Sequence, residues 1–466
     1  MISVGCLLIL LNKTFFMLIR FIAKNFLSLG EEIEFKLFPY TKIRNHKDHI
    51  YKTERIDLLK SAVIYGANGS GKSNFVKAID LLHDIATNQD ITISRLSEIC
   101  FKLNEEVSCQ PTTLEVEFQK SGKSFLYGVD ISKQRIVEEW LVLTNPKNPK
   151  KETVLFERKI EKTGKIQIEI HKKYIKNERD KIRIELYEEE LLKNEESLLS
   201  FLHGKDKFPD IEEAFSWFKN DLYIIYPNSS YASLVEKILR DEDFFKYTSS
   251  IMSKLDTGIS ELAIKELPFE IFFGNDDTNI KKEIIRGFEK GIEKVHIRGK
   301  KGVALAVKNK EGEIIIQKLI TRHTGKDGKV HDFELEEESD GTTRILDLLP
   351  VFELLIQKEC VFIIDEIGRS IHPNLLKEFT RYFLEAKTKG QLIFTTHESY
   401  LLDLENFRQD EVWFVEKADS GNTKMYPLSE FMPRYDFDIR KGYLNGRFGA
   451  IPFLGDFSKL IPEHAS

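Results

Sequence analysis

The stretch S-A-V-I-Y-G-A-N-G-S-G-K-S-N-F, from Ser61 to Phe75, constrains this chain more than any other. Within it, Gly66 to Ser73 matches G-x-x-x-x-G-K-[ST], the pattern of a phosphate-binding loop. An apolar run from Ala62 to Tyr65 precedes the loop, and a helical pattern from Asn74 to Ile85 follows it. A strand, a glycine-rich turn and a helix in this order direct backbone N–H groups and the helix N-terminus at one anion. The stretch therefore predicts a nucleoside triphosphate site.

The residue types of the loop predict how the ligand is held. The side chain of Lys72 can reach the β- and γ-phosphates, and the hydroxyl of Ser73 can bind a Mg²⁺ ion. The predicted nucleotide ligands of the loop and its helix are Gly66, Asn68, Gly69, Gly71, Lys72, Ser73 and Asn74.

Two apolar runs nearer the C-terminal end finish in polar residues. Val361 to Ile364 is typical of a buried parallel strand, and Asp365 and Glu366 follow it directly. We expect Asp365 to hold the Mg²⁺ ion and Glu366 to polarise the attacking water. Gln391 to Thr396 repeats the pattern and ends at His397, which is positioned to contact the γ-phosphate. Glu366 and His397 are therefore the predicted catalytic residues.

A further helical pattern begins at Ser339-Asp340-Gly341, before the first of these runs. Ser339 is a good helix cap, and Gly341 would let the backbone approach an anion closely. On residue types alone, this segment predicts a well-capped helix.

Composition bounds the class of protein. The 466 residues predict two or three structural units, and the formal charge of −6 with a pI near 6.1 argues against a surface coated with cations. The 4 cysteines form no C-x-x-C pair, as expected for reduced thiols of a cytoplasmic protein. The apolar run from Val4 to Leu11 is too short for a membrane span. A strand pattern starting at Met17 suggests that residues 1–16 are an upstream extension.

Periodicity divides the chain into segments. Residues 17–179 carry strand signals around one helix and end in a β-meander, and residues 180–267 carry helical spacing. Residues 268–466 contain the second set of motifs. The predicted fold is α/β: a P-loop NTPase core with a β-meander lobe and an inserted helical subdomain. Two basic runs, Arg158 to Arg183 and Lys294 to Lys310, fit either a solvated hairpin face or contacts with nucleic acid phosphates.

In this order, the motifs resemble those of ABC-type ATPases of the SMC/RecF/OLD superfamily. Gly66–Ser73 matches the Walker A motif, Ser339–Gly341 a degenerate signature motif and Phe362–Glu366 the Walker B motif. Ile367 to Pro373 occupies the D-loop region, and His397 the position of the switch histidine. The resemblance covers nearly the whole chain and implies an ABC-type head that binds ATP and Mg²⁺.

The resemblance also implies a dimer that closes on ATP, in which Ser339, Asp340 and Gly341 of one copy complete the nucleotide site of another. One departure is Asp340, which stands where a second glycine is usual. The Q-loop glutamine, a metal ligand in this superfamily, is either Gln110 or Gln89.

The closing segment from Arg440 to Pro452, R-K-G-Y-L-N-G-R-F-G-A-I-P, is similar to the end of a bacterial AAA/ABC-hybrid group. That group includes RloA-like, abortive-infection and PARIS-type defence ATPases, which resemble OLD proteins but lack a fused Toprim nuclease. The segment is either a glycine-rich tail that packs on the ATPase or a place where Arg447 contacts phosphate or a partner.

Two functions follow from the resemblance. The first is an ATPase that acts as sensor or scaffold in anti-phage defence, responds to DNA or a phage-derived trigger and controls a separate Toprim-type effector. The second is a RecF-like repair or recombination ATPase that binds DNA. A transporter ATPase is disfavoured because of the large insertion and the degenerate signature. No membrane partner is expected.

Overall fold

The computed structural model describes residues 16–53, 56–88, 99–145, 148–205, 207–228, 237–238, 240–255, 257–274, 278–299, 302–434 and 437–451. Outside these ranges lie nearly all of the predicted extension 1–16, Gln89, Pro452 and most of the helix expected around residues 233–239. The chain divides into two compact units. The first comprises residues 1–227, 354–367 and 380–466, and the second comprises residues 228–353 and 368–379.

The strands are β1 (Met17–Lys24), β2 (Ile33–Lys36), β3 (Ile50–Tyr51), β4 (Leu58–Leu59), β5 (Ser61–Tyr65), β6 (Thr112–Lys120), β7 (Lys123–Ser132), β8 (Arg135–Thr144), β9 (Thr153–Ile160), β10 (Ile166–Ile170), β11 (Leu222–Ile225), β12 (Ile259–Pro268), β13 (Lys294–Gly299), β14 (Gly302–Lys308), β15 (Ile314–Thr324), β16 (Val330–Glu334), β17 (Val361–Ile364), β18 (Gln391–Thr396), β19 (Val412–Lys417) and β20 (Thr423–Pro427).

The α-helices are α1 (Lys72–Thr87), α2 (Glu105–Ser108), α3 (Glu178–Leu186), α4 (Leu198–Leu202), α5 (Pro209–Asp221), α6 (Glu242–Met252), α7 (Phe269–Phe273), α8 (Thr278–Glu289), α9 (Asp340–Gln357), α10 (Pro373–Glu385) and α11 (Ile439–Leu444). In the part of the chain that the structure describes, none of the helices is long and apolar enough for a membrane span.

A six-stranded sheet in the order β11-β17-β18-β5-β19-β20 carries the predicted site. Its first five strands are mutually parallel, and β20 pairs antiparallel with β19. Every residue of β5, β17 and β18 is buried, because these runs are covered on both faces. The carboxyl ends of parallel strands lie at one edge of a sheet, so the phosphate loop, the Asp-Glu pair and His397 all follow strands that end at that edge.

The second sheet of this unit has seven strands in the order β10-β9-β8-β7-β6-β1-β2, all antiparallel. Buried and half-buried residues alternate along β6, as expected for a sheet with one face on the core. Its core face packs on helices: the Phe118 ring stacks on Trp217 of α5 with centroids 4.2 Å apart. The predicted α/β P-loop core with a β-meander is confirmed.

The second unit contains a sheet rather than a helical bundle. Its strands run in the order β12-β15-β14-β13, with β16 also paired to β15. The segment 180–267, predicted as one helical insertion, is divided: its helices up to α5 and the parallel strand β11 belong to the first unit. Its last nine residues belong to β12, because pairing with β15 along nearly the whole strand outweighs a helical spacing of apolar residues. The chain passes from one unit to the other at residues 227/228, 353/354, 367/368 and 379/380, not at the predicted boundaries.

Candidate nucleotide-binding site

The loop between β5 and α1 has the backbone that its glycines predict. Gly71 has φ +115, in the left-handed region, and a Cβ there would lie 2.2 Å from the Thr423 hydroxyl oxygen. A Cβ on Gly66 would lie 2.3 Å from the carbonyl oxygen of Val415. Both positions exclude a side chain. The loop leads into the N-terminus of the 16-residue α1, whose first N–H groups have no partner within the helix.

Lys72 is folded back across the loop. Its Nζ donates to the carbonyl oxygens of Gly66 at 2.7 Å and Ala67 at 3.1 Å, and the residue is only 6% exposed. Burial lowers the pKa of Lys72, and the carboxylates of Glu366 and Asp365 act in the opposite direction. The structure therefore brings the predicted loop lysine and both predicted carboxylates into one electrostatic environment.

Asp365 and Glu366 form a sharp turn at the tip of β17. The backbone N–H of Asp365 donates to the carbonyl of Ile225 on β11 at 2.8 Å, and Glu366 takes a left-handed φ of +48. That conformation is costly for a residue with a side chain, so the surroundings must hold it. Asp365 is buried, whereas Glu366 is half-buried.

The residue that holds this turn is Thr395, which sequence reasoning missed. Its hydroxyl donates to Asp365 Oδ1 at 2.6 Å and accepts the backbone N–H of Glu366 at 2.8 Å. Its carbonyl accepts the N–H of Ile367 at 3.2 Å. The available signal was a second polar residue inside the buried run that ends at His397. Thr395 thus ties the Asp365 carboxylate and the Glu366 backbone to β18.

A chain of hydrogen bonds that all run in one direction, from Asn74 to the carbonyl of Ser70, supports the phosphate loop. Thr423 donates its only hydroxyl hydrogen to the carbonyl of Ser70 at 2.9 Å. The Ser28 hydroxyl, 2.8 Å from that of Thr423, must then donate to it, and itself accepts from the Asn74 amide at 2.8 Å. Asn74, predicted as a nucleotide ligand, therefore uses its side chain to support the loop. Ser28 and Thr423 match no motif, and only the fold reveals their role.

The closing segment packs on the loop. The carbonyl of Ala450 accepts the N–H of Ala67 at 3.1 Å and the Tyr443 hydroxyl at 3.0 Å. The Arg447 guanidinium lies 4.4 Å from the centre of the Phe437 ring. Of the two interpretations of this segment, these contacts favour a tail that packs on the ATPase.

The remaining predicted residues of the first unit lie at the surface. Asn68 and Gly69 are exposed at the tip of the loop, and Ser73 is half-buried. The side chain of His397 is 47% exposed and lies 3.3 Å from the Glu398 carboxylate. Gln110 is exposed, and its carbonyl accepts the Asn25 side-chain amide at 2.7 Å.

In the second unit, Ser339 caps α9 as predicted. Its hydroxyl oxygen accepts the backbone N–H of Thr342 at 3.1 Å, and both Ser339 and Asp340 are exposed. Gly341 lies close to protein backbone, because a Cβ there would lie 2.5 Å from the carbonyl oxygen of Ser370. Its predicted approach to an anion stays a prediction.

In the first basic run, from Arg158 to Arg183, the side chain of Arg158 has a structural role. Arg158 is fully buried and donates to the carbonyl oxygens of Ile136 at 2.9 Å and Lys193 at 3.1 Å. Its guanidinium ties strand β9 to the neighbouring segments. It is therefore unavailable to nucleic acid.

The parallel sheet, the phosphate loop and the paired carboxylates define a P-loop NTPase of the ABC type. The chain belongs to the family described as "AAA domain, putative AbiEii toxin, Type IV TA system", whose model matches residues 61–403. That range includes the loop, the Ser339 segment, the Asp-Glu pair and His397. The expected relationship to AAA-type ATPases is thereby confirmed at the level of the family.

The solved structures that match this chain include SMC heads. One is an SMC head bound to the C-winged helix domain of ScpA: 14% identity, 88% of this chain and 97% of that chain covered, TM-score 0.42. The SMC head domain from Thermotoga maritima has 13% identity and a TM-score of 0.34, with 88% of this chain and 98% of that chain covered. A third is an Smc head domain with an extended coiled coil, bound to the C-terminal domain of ScpA derived from Pyrococcus furiosus. It has 13% identity and a TM-score of 0.38, with 90% of this chain and 98% of that chain covered. No curated protein matches this chain significantly in sequence.

Proposed function

We propose that this chain binds ATP with Mg²⁺, hydrolyses it to ADP and phosphate, and forms a dimer while ATP is bound. The observation that carries the proposal is the shared environment of Lys72, Asp365 and Glu366 beside a loop in which Gly66 and Gly71 exclude a side chain. A buried lysine near two carboxylates, at the N-terminus of a helix, is an arrangement that a triphosphate and a divalent cation complete.

Each residue then has a defined task. Lys72 exchanges its two carbonyl acceptors for phosphate oxygens, while the loop N–H groups bind the same anion. Ser73 and Asp365 are the candidate Mg²⁺ ligands, with Gln110 a further one. Bound Mg²⁺ would neutralise charge that develops on the phosphates.

The chemistry at the γ-phosphate is assigned to two residues. Glu366 accepts a proton from the attacking water or orients it, as a general base. Thr395 holds the backbone from which that carboxylate extends, through its bond with the Glu366 N–H. His397 contacts the γ-phosphate from the tip of β18.

A second copy would supply the N-terminus of α9. Ser339 and Asp340 are exposed, and the helix has 18 residues, so its positive N-terminal end is open to an anion. Ser339, Asp340 and Gly341 are proposed to complete the partner copy's site. ATP would then join two copies and its hydrolysis would release them.

We further propose that this cycle serves bacterial anti-phage defence in the cytoplasm, as sensor or scaffold for a separate Toprim-type nuclease. The support is the family's description, "putative AbiEii toxin, Type IV TA system", together with the closing segment that packs on the loop. The test is co-expression with a neighbouring Toprim protein. Toxicity that needs both chains and an intact Lys72 supports the role. ATP-dependent, salt-sensitive binding of duplex DNA without such a partner would favour the RecF-like alternative.

The ATPase proposal is tested by Glu366→Gln, with Glu405→Gln, an exposed glutamate, as matched control. Turnover should fall at least about 100-fold because the general base is lost, while ATP still binds. Native mass spectrometry with ATP should show Glu366→Gln trapped as a dimer. Ser339→Arg should bind ATP normally but remain monomeric. Unchanged turnover in Glu366→Gln would refute the catalytic assignment.

A further inference from the structure

A cluster of metal-ligand side chains lies in the turn before β3, away from the motifs described above. His46, Asp48 and His49 each offer a ligand atom, and these atoms all lie within 4.8 Å of one another. The two imidazole rings are 4.8 Å apart between centroids and inclined by 24°. His49 is buried, His46 is half-buried and Asp48 is exposed, so an ion could reach the cluster from solvent.

Each imidazole has one nitrogen already engaged by an acceptor. His46 Nε2 lies 2.8 Å from the carbonyl oxygen of Leu404, which can only accept, so this nitrogen carries the hydrogen. His49 Nδ1 lies 2.9 Å from a carboxylate oxygen of Glu411. Donation at these positions leaves a lone pair on His46 Nδ1 and on His49 Nε2. Histidine ligands of metals are almost always oriented in this way, by a carbonyl or carboxylate on the other nitrogen.

The carboxylate behind His49 is itself held firmly. Glu411 is fully buried, and its oxygens accept the Ser61 hydroxyl and the backbone N–H of Arg408, both at 2.8 Å. The His49 ring is therefore fixed before any ion arrives. Preorganised ligands with a supporting shell bind metals more tightly than mobile ones.

We propose that His46, Asp48 and His49 form a binding site for a divalent transition metal of the Zn²⁺ type, with a position left for water. Two imidazoles and a carboxylate favour such ions over Mg²⁺ or Ca²⁺, which prefer oxygen ligands. A bound ion would tie the turn, through Glu411, to Ser61 at the start of β5. This inference does not depend on the proposed ATPase function.

The positive charge of the neighbouring Lys60 ammonium would repel a metal ion bound at this site. Burial lowers the pKa of the Lys60 ammonium, whereas nearby Asp48 and Glu411 act to raise it. Lys60 also adjoins the cluster in the fold, because its backbone N–H donates to the carbonyl of His49 at 2.9 Å. Removing this positive charge, in Lys60→Met, should strengthen metal binding, whereas losing a ligand weakens it.

The test is titration of the tag-free, nucleotide-free full chain with Co²⁺, followed by visible absorption, and then displacement by Zn²⁺. We expect one tightly bound ion per chain. His46→Ala and Asp48→Asn should weaken binding at least tenfold, and circular dichroism checks that both variants fold. Lys60→Met should bind more tightly than the natural chain.

The control is His83→Ala, because Asp80, His83 and Asp84 form a second cluster of ligand residues among those described. This variant should bind Co²⁺ as the natural chain does. The proposal is overturned if no ion binds, if His46→Ala and Asp48→Asn titrate like the natural chain, or if only His83→Ala loses binding.

Discussion

Buried charged side chains are paired differently at the two ends of β5. At its first residue, Ser61, the Glu411 carboxylate accepts hydrogen bonds from a hydroxyl and a backbone N–H, and the Arg408 guanidinium donates twice to Asp410 at 2.9 and 2.8 Å. Beyond its last residue, the Lys72 ammonium lies on two carbonyl oxygens, in the field of carboxylates that it does not pair with directly. The amino end is arranged for stability, and the carboxyl end is arranged for a ligand.

The largest expected effect concerns stability at the amino end. Arg408→Ala leaves the buried Asp410 carboxylate without its bidentate partner. Breaking a buried ion pair in this way costs about 3–5 kcal/mol of unfolding free energy. Denaturant titration measures this, with the exposed Arg440→Ala as control. If Arg408→Ala were as stable as the control, the Arg408–Asp410 pair would not stabilise the amino end of β5.

At the carboxyl end of β5, we expect a substitution to change ligand binding more than the free energy of unfolding. Lys72→Ala should weaken ATP binding by about 100-fold, because a hydrogen bond to a charged group is worth ~1.5–3 kcal/mol. The unfolding free energy without ligand should change by less than ~1 kcal/mol, since the buried ammonium carries a desolvation penalty. Calorimetry with ATP gives the first quantity and denaturant titration the second. The exposed Lys77→Ala, on the same helix, should change neither.

A smaller effect is expected for the positioning residue. Thr395→Val preserves shape but removes the hydroxyl that joins Asp365 and the Glu366 backbone. Turnover should fall about tenfold with little change in ATP affinity, which corresponds to ~1.4 kcal/mol. Thr396→Val, the same change one residue along β18, is the control. Equal losses in both variants would show that the strand as a whole matters, not this hydroxyl.

The smallest effect is a pH dependence. Burial lowers the folded-state pKa of Lys72 below its ordinary value of 10.5, so the unfolded chain binds more protons between these two values. The stability of the natural chain should therefore rise with pH across that window, relative to Lys72→Met. Below the folded-state pKa the difference between the two should be constant. A natural chain that loses stability relative to the variant as pH approaches 10.5 would contradict the assigned shift.

The sequence predicted the parts of this molecule that depend on local pattern. The phosphate loop, the buried strands β17 and β18, and the meander follow from apolar periodicity and glycine spacing. Thr395 and Ser28 could not be found in this way, because their partners are about 30 and 46 residues away in the chain. Their roles exist only once strands β17 and β18 pair and the turn after β1 meets α1.

The second unit shows the other limit of sequence reasoning. The run that forms β12 has apolar residues at helical spacing, and its pairing with β15 joins residues that are roughly 50 to 60 positions apart in the chain. Long-range pairing outweighed local propensity there, as strand preference depends on context. Likewise β11, with four residues between a helix and a turn, is too short for periodicity to identify.

The position of β18 between β5 and β17 sets a length scale for the whole site. Neighbouring strands lie about 4.8 Å apart, so the tips that carry the glycine loop and the Asp-Glu pair are separated by about 10 Å. Main-chain ladders fix that gap, and no side-chain substitution alters it. Substitutions at the two tips can change which groups face each other across this gap, but its width follows from the order of the strands.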